Sequence, residues 1–223
     1  MKFLRKDLLG LALVAVACAG EPFQSAPAAS YRVLFIGNSL TAVNDLPRTV
    51  AGLATTLHDS ITVDAATGPD LAIIDHVNGA TNALDLIKKG RWHFVVLQQG
   101  PTSQQLGRDT LILASKILDP LVRAAGGRIA ELMVWPSAQN RSTFDGALQS
   151  CKEAAQAVAG LCFPAGQAWR AAWAFDPTLP LYGPDGYHPS ELGTYLAALV
   201  VYEGITGRVR RRCRNRRWST GTR

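Results

Sequence analysis

The chain has 223 residues, 48% of them apolar, with 23 Lys and Arg against 17 Asp and Glu. That length and apolar share suffice to bury the core of one domain and exclude an intrinsically disordered protein. The net charge of +6 does not call for a nucleic-acid partner: without the eight arginines from Arg208 onward and the first twenty residues, 12 basic side chains face 16 acidic ones.

Residues 1–20 read as an export signal. Lys2, Arg5 and Lys6 make a positive start, and the apolar stretch that follows, 8–17, is too short to span a bilayer. Ala15-Val16-Ala17 before Cys18 fits a small-residue cleavage site and, more weakly, a bacterial lipoprotein signal in which a lipid on Cys18 would anchor the protein to a membrane. A cytosolic protein with an apolar amino-terminal helix is the plain alternative. Residues 21–30, rich in Pro, Ser and Ala, read as a spacer before a domain over 31–207.

Within that domain short apolar runs alternate with helical periodicity. Strands are expected at 31–36, 60–65, 94–98, 130–135 and, less strongly marked, 161–164; helices at 46–57, with Pro47 in the first turn, and at 83–89, 110–125, 143–159 and 191–204. Such alternation predicts an α/β fold, a single-domain three-layer α/β/α sandwich of flavodoxin-like type on a five-stranded parallel sheet ordered 2-1-3-4-5. Export places the cysteines in an oxidising compartment, where Cys151 and Cys162 can pair locally or stay as two buried thiols. No Cys or His spacing resembles a metal site, and no cofactor is expected. Past Gly207 the arginine-rich segment 208–223 reads as a solvated tail; binding to an anionic lipid or nucleic acid is the sharper alternative.

Two short segments carry the chemistry. Phe35-Ile36-Gly37-Asn38-Ser39-Leu40-Thr41 places a serine where the first strand gives way to a helix, at the carboxyl edge of the sheet where open α/β folds bind ligands. Asp185-Gly186-Tyr187-His188-Pro189-Ser190 places a carboxylate and an imidazole three residues apart on a turn-forming loop. A hydroxyl, a base and a group that orients the base are the minimal parts of nucleophilic acyl transfer. Taken singly, each has a plain structural reading: Ser39 as a helix cap, the Asp185 segment as an ordinary turn.

The first segment, continued by Asn44-Asp45-Leu46-Pro47, resembles the first block of the SGNH (GDSL-like) hydrolase superfamily, with Asn38 where many members carry Asp; the second resembles its D-x-x-H-P block. The resemblance covers roughly 31–207 and implies Ser39 as nucleophile, His188 as general base and Asp185 as its orienter. It also implies an oxyanion hole from the Ser39 N–H, a glycine after the second strand and an asparagine after the third. Gly68 fits the glycine. The asparagine block is absent, and Gln98-Gln99-Gly100-Pro101-Thr102-Ser103 follows the third strand instead, so Gln98 is assigned as the third donor, with Gln99 the next candidate and Ser103 an outside one. Asn38, Gln99 and Trp135 are expected around the pocket, with His76 a lesser candidate.

The activity implied is that of a serine hydrolase cleaving acyl or acetyl esters of a carbohydrate or small lipid. An acyltransferase of the same fold, and a binding module with a silent triad, are the alternatives.

Overall fold

In the computed structural model the described residues are 29–207. The expected export signal at 1–20 with Cys18, most of the expected spacer at 21–30 and the arginine-rich segment at 208–223 lie outside them. Five strands form one parallel sheet: β1 (Ser30–Gly37), β2 (Ser60–Thr67), β3 (Phe94–Leu97), β4 (Arg128–Leu132) and β5 (Leu161–Phe163), in the order β2-β1-β3-β4-β5. The predicted topology is the one observed.

The helices are α1 (Ser39–Ala42), α2 (Leu46–Thr56), α3 (Ile73–Val77), α4 (Ala83–Lys89), α5 (Gln105–Ala124), α6 (Phe144–Ala157), α7 (Ala165–Phe175) and α8 (Glu191–Thr206). Strand alternation divides the core in two. Val33, Phe35, Val96, Ala130 and Leu132 face one layer, with Val50 and Leu53 of α2, Trp169 of α7 and Val201 of α8. Leu34, Ile36, Val95, Leu97 and Ile129 face the other, with Ile73 of α3, Ile87 of α4, and Leu111 and Leu118 of α5. Burial on both faces explains why the strands read as nearly unbroken apolar runs. Among the described residues no helix is long and apolar enough to cross a membrane.

Among the elements that differ from the sequence expectation are β4, α5 and α7. β4 stops at Leu132 rather than at 135, although Met133, Val134 and Trp135 are all buried. Its neighbours stop at Leu97, opposite Glu131, and at Phe163, opposite Leu132, so the chain runs on with no ladder partner beyond the bond from the Met133 N–H to the Phe163 carbonyl. α5 starts at Gln105 rather than at 110, a first turn of polar residues and Gly107 hiding its onset. α7 forms around Trp169 and Trp173, whose four-residue spacing suggests a helical face although no helix span was assigned there.

Cys151 on α6 and Cys162 on β5 form a disulfide, which decides between the two expected states of these cysteines. A cross-link over this short a loop stabilises by about 3 kcal/mol in the chain-entropy account.

Glu131, 1% exposed on β4, is the costly residue of the second core. Burial pushes its carboxyl up to about 8, the hydrogen bond with Ser115 offsetting only part of that. Ser115 Oγ, 2.8 Å from both the Leu111 carbonyl and Glu131 Oε1, is the hydroxyl beside this carboxyl, and Glu131 Oε2 is buried with no partner among the described residues, so a charge there is poorly compensated.

In the unfolded chain this group ionises near 4.3, so between about 4 and about 8 the folded state holds a proton that the unfolded state has lost. Stability therefore falls as pH rises through that window. Glu131→Gln should raise the thermal midpoint at pH 8 by several degrees and flatten its decline between pH 5 and 8, as read by calorimetry across pH.

Candidate active site

β1 runs into the site through Gly37 and Asn38. Asn38 caps α1, its Oδ1 accepting the Leu40 N–H at 3.1 Å, and this turn presents Ser39 at the first helical position. Beneath the turn, Gln98 Oε1 accepts the Asn38 N–H at 3.0 Å and the Thr41 hydroxyl at 2.7 Å. Gly37 makes room for that arrangement: a Cβ there would lie 2.7 Å from both Gln98 Oε1 and Thr41 Oγ1. His76, fully buried, donates through Nε2 to the Gly37 carbonyl at 3.1 Å and accepts the Thr81 hydroxyl at Nδ1 at 2.7 Å. Burial lowers its pKa and keeps it neutral, so His76 supports the serine turn from below and does not line the pocket.

On the second segment, Asp185 Oδ1 accepts the N–H groups of Tyr187 and His188, both at 2.9 Å, and Gly186 takes the left-handed φ of +67° that closes the turn. The other carboxylate oxygen, Oδ2, meets His188 Nδ1 at 2.6 Å. His188 Nε2 lies 2.9 Å from Ser39 Oγ. A carboxylate can only accept, so the imidazole proton sits on Nδ1 and Nε2 is left to accept the serine hydroxyl. The His188 hydrogen bond, then the Tyr187 N–H, pulls the Asp185 carboxyl down to about 2.

The structure thus brings Ser39, His188 and Asp185 into one hydrogen-bonded chain. It treats the other expected site residues differently. The Gln98 carbonyl oxygen braces the serine turn, while its Nε2, the end that could donate, is buried with no partner among the described residues. Gln99 does line the cavity beside the site. Its Oε1 accepts the Ile73 N–H, and its Nε2 donates to Thr102 Oγ1 and the Gly107 carbonyl, which anchors the loop after β3. The Gly68 N–H donates to the Gly37 carbonyl at 3.3 Å, extending the β1–β2 ladder.

Trp135 is corrected from pocket wall to core. It is 1% exposed, stacks on Trp169 at 3.8 Å between ring centroids, and donates through Nε1 to the Tyr187 carbonyl at 3.0 Å, bracing the histidine loop from behind.

The Ser39 N–H has no acceptor among the described residues. Two cavities flank the site. One of about 320 Å³ is lined by Asn38, Asp70, Leu71, Gln99, Gly100 and Tyr187. Another, of about 580 Å³, is bordered by Val43, Asn44, Tyr182, Pro184, His188 and Pro189. No three His, Cys, Asp or Glu side chains among the described residues are grouped as a metal ion would require.

Sequence comparison is silent here: neither a protein-family model nor a curated protein sequence matches the chain. Solved structures do match. A candidate SGNH hydrolase from Slackia heliotrinireducens superposes with a TM-score of 0.63 at 29% identity, over 79% of this chain and 99% of its own. The chain has the fold of the SGNH hydrolases.

A DUF4886 family protein from Bacteroides uniformis gives a TM-score of 0.68 at 18% identity, over 80% of this chain and 84% of its own. An acetylxylan esterase from Geobacillus stearothermophilus gives 0.60 at 18% identity, over 80% of this chain and 95% of its own. That esterase has been solved as catalytic mutants of an aspartate and of a histidine three positions further on.

Two supports of the site escaped the sequence reading. Asn44 and Thr194 hydrogen-bond each other across the site, and Trp135 ties to the histidine loop; both are contacts between distant segments, for which local sequence carries no signal.

Proposed function

We propose that this SGNH-fold chain is an exported serine hydrolase that cleaves acyl or acetyl esters of a carbohydrate or small lipid. The observation that carries the reading is the chain of short contacts, Asp185 to His188 at 2.6 Å and His188 to Ser39 at 2.9 Å, at the carboxyl edge of β1. The same i, i+3 spacing of aspartate and histidine in the acetylxylan esterase supports the roles given to Asp185 and His188. An export-type leader and the Cys151–Cys162 disulfide support a setting outside the cytosol.

In the first half-reaction His188 Nε2 takes the proton of Ser39 as Oγ adds to the ester carbonyl. The tetrahedral intermediate collapses to an acyl-Ser39, and the alcohol leaves with that proton from Nε2. Water repeats the sequence, losing a proton to His188 and releasing the acid. Asp185 stays ionised throughout, holding the ring by Nδ1 and stabilising the imidazolium that forms. The developing oxyanion is received by the Ser39 N–H, a preorganised donor of the kind whose loss costs about 3 to 4 kcal/mol of barrier.

Purified chain with p-nitrophenyl acetate tests the reading, together with labelling by a fluorophosphonate probe. Turnover with labelling supports it, and added sugars or alcohols that divert the acyl group would make the chain a transferase. Neither turnover nor labelling would leave a binding module.

A further inference from the structure

Asn44 takes no part in the hydrogen-bonded chain of the site, yet it joins the two segments that carry it. Its backbone is left-handed, φ +56°, and so is that of Asp45, φ +49°. Asn and Asp tolerate this region better than other side-chain-bearing residues, and the pair turns the chain sharply between α1 and α2. The turn aims the Asn44 carboxamide at the opposite end of the sequence. Nδ2 donates to the Pro189 carbonyl at 3.0 Å and to Thr194 Oγ1 at 3.0 Å. A carbonyl can only accept, so chemistry fixes which end of the amide faces Pro189.

Pro189 directly follows His188, and Thr194, 2% exposed, belongs to the first turns of α8. The other ties of the histidine loop lead elsewhere: the Tyr187 carbonyl accepts from Trp135 beyond β4, and the His188 carbonyl accepts the Gly183 N–H within its own segment. Among the described residues, the hydrogen bonds that join 38–45 to 182–194 are the two from Asn44 and the Ser39–His188 contact itself. The path from nucleophile to base therefore runs through one short helix, one amide and one residue. Displacements of about 1 Å in such a path change rates by roughly a hundredfold.

We propose that Asn44, with Thr194 as its buried partner, is a positioning residue that holds His188 Nε2 at proton-transfer distance from Ser39 Oγ. The proposal rests on the ester-hydrolase reading for its kinetic arm. Asn44→Gly is the informative variant, because glycine keeps the left-handed turn and removes only the amide.

With p-nitrophenyl acetate, Asn44→Gly should lower kcat by roughly 10- to 100-fold with KM within about twofold of native. Thr194→Val should lower kcat by a smaller factor, and Thr194→Ser, which keeps the hydroxyl, should recover most of that loss. Native kcat in Asn44→Gly overturns the proposal; so does a fall of the same size in Thr194→Ser and Thr194→Val, which would mark a packing defect in α8. If the native chain neither turns over ester nor labels, the hydrolase reading has failed and the positioning claim is read by NMR instead. The Nε2 resonance of His188 should then move in Asn44→Gly as the Ser39 contact loosens, and an unmoved resonance overturns it.

Discussion

Ser39→Ala abolishes ester turnover and fluorophosphonate labelling while leaving the protein folded. The expected loss in kcat is roughly 10⁴- to 10⁶-fold, the range found when a triad nucleophile is removed and binding with oxyanion stabilisation alone remains. The structure makes this a clean test. Ser39 Oγ has His188 as its hydrogen-bond partner and takes no part in capping α1, which Asn38 does. Deleting the hydroxyl thus leaves no buried backbone group unsatisfied, and the thermal midpoint should stay within a few degrees of native. Labelling that persists in Ser39→Ala would sink the assignment. Loss of labelling together with loss of fold would not count in its favour, so circular dichroism belongs beside the probe.

Asp185→Asn is the second large effect, expected at roughly 10³- to 10⁴-fold in kcat with KM little changed. Both carboxylate oxygens have separate work. Oδ1 builds the turn by accepting the N–H groups of Tyr187 and His188, and Oδ2 accepts from His188 Nδ1. In asparagine the remaining oxygen can keep the turn, so the loop survives. The amide nitrogen then points a donor at Nδ1, which favours the imidazole tautomer with its proton on Nε2, the wrong face for taking the serine proton.

The pH behaviour follows with a definite sign. A carboxyl held at about 2 against about 3.9 unfolded contributes stability that is complete above pH 4 and is lost as pH falls through about 2. Asp185 is therefore ionised across any working range, and an acid limb in the native rate above pH 4 cannot come from it. If Asp185→Asn kept near-native kcat, the orienting role would be gone even with Ser39 upheld.

Much of this was legible in the sequence because it is written locally. The buried strands announce themselves as apolar runs, and the sheet order follows from their alternation with helices. Ser39 and the Asp185–His188 pair stand in short segments whose turn chemistry is readable residue by residue. Other features are written only in contacts. The carboxamide of Gln98 has two ends, and that its oxygen accepts from the backbone of Asn38 and the hydroxyl of Thr41 is visible only in the folded chain. Trp135 looks like a pocket wall because it ends an apolar run on the catalytic side; Trp169, from a helix that was not assigned, covers it. Asn44 sits in a segment quoted for its resemblance, yet its partners lie 145 and 150 positions away.

The placement of α8 has a consequence for how the protein comes into being. The serine turn belongs to the first strand made and the base to a loop 149 residues later, so all five strands are synthesised before the base. What brings the base home is the last helix, whose Tyr202 hydroxyl donates to the buried Asp59 carboxylate between α2 and β2 at 2.6 Å. A nascent or truncated chain carries a serine with nothing to activate it. On the proposed hydrolase reading, reactivity is acquired only when the two ends of the domain close on each other, and its appearance reports that closure.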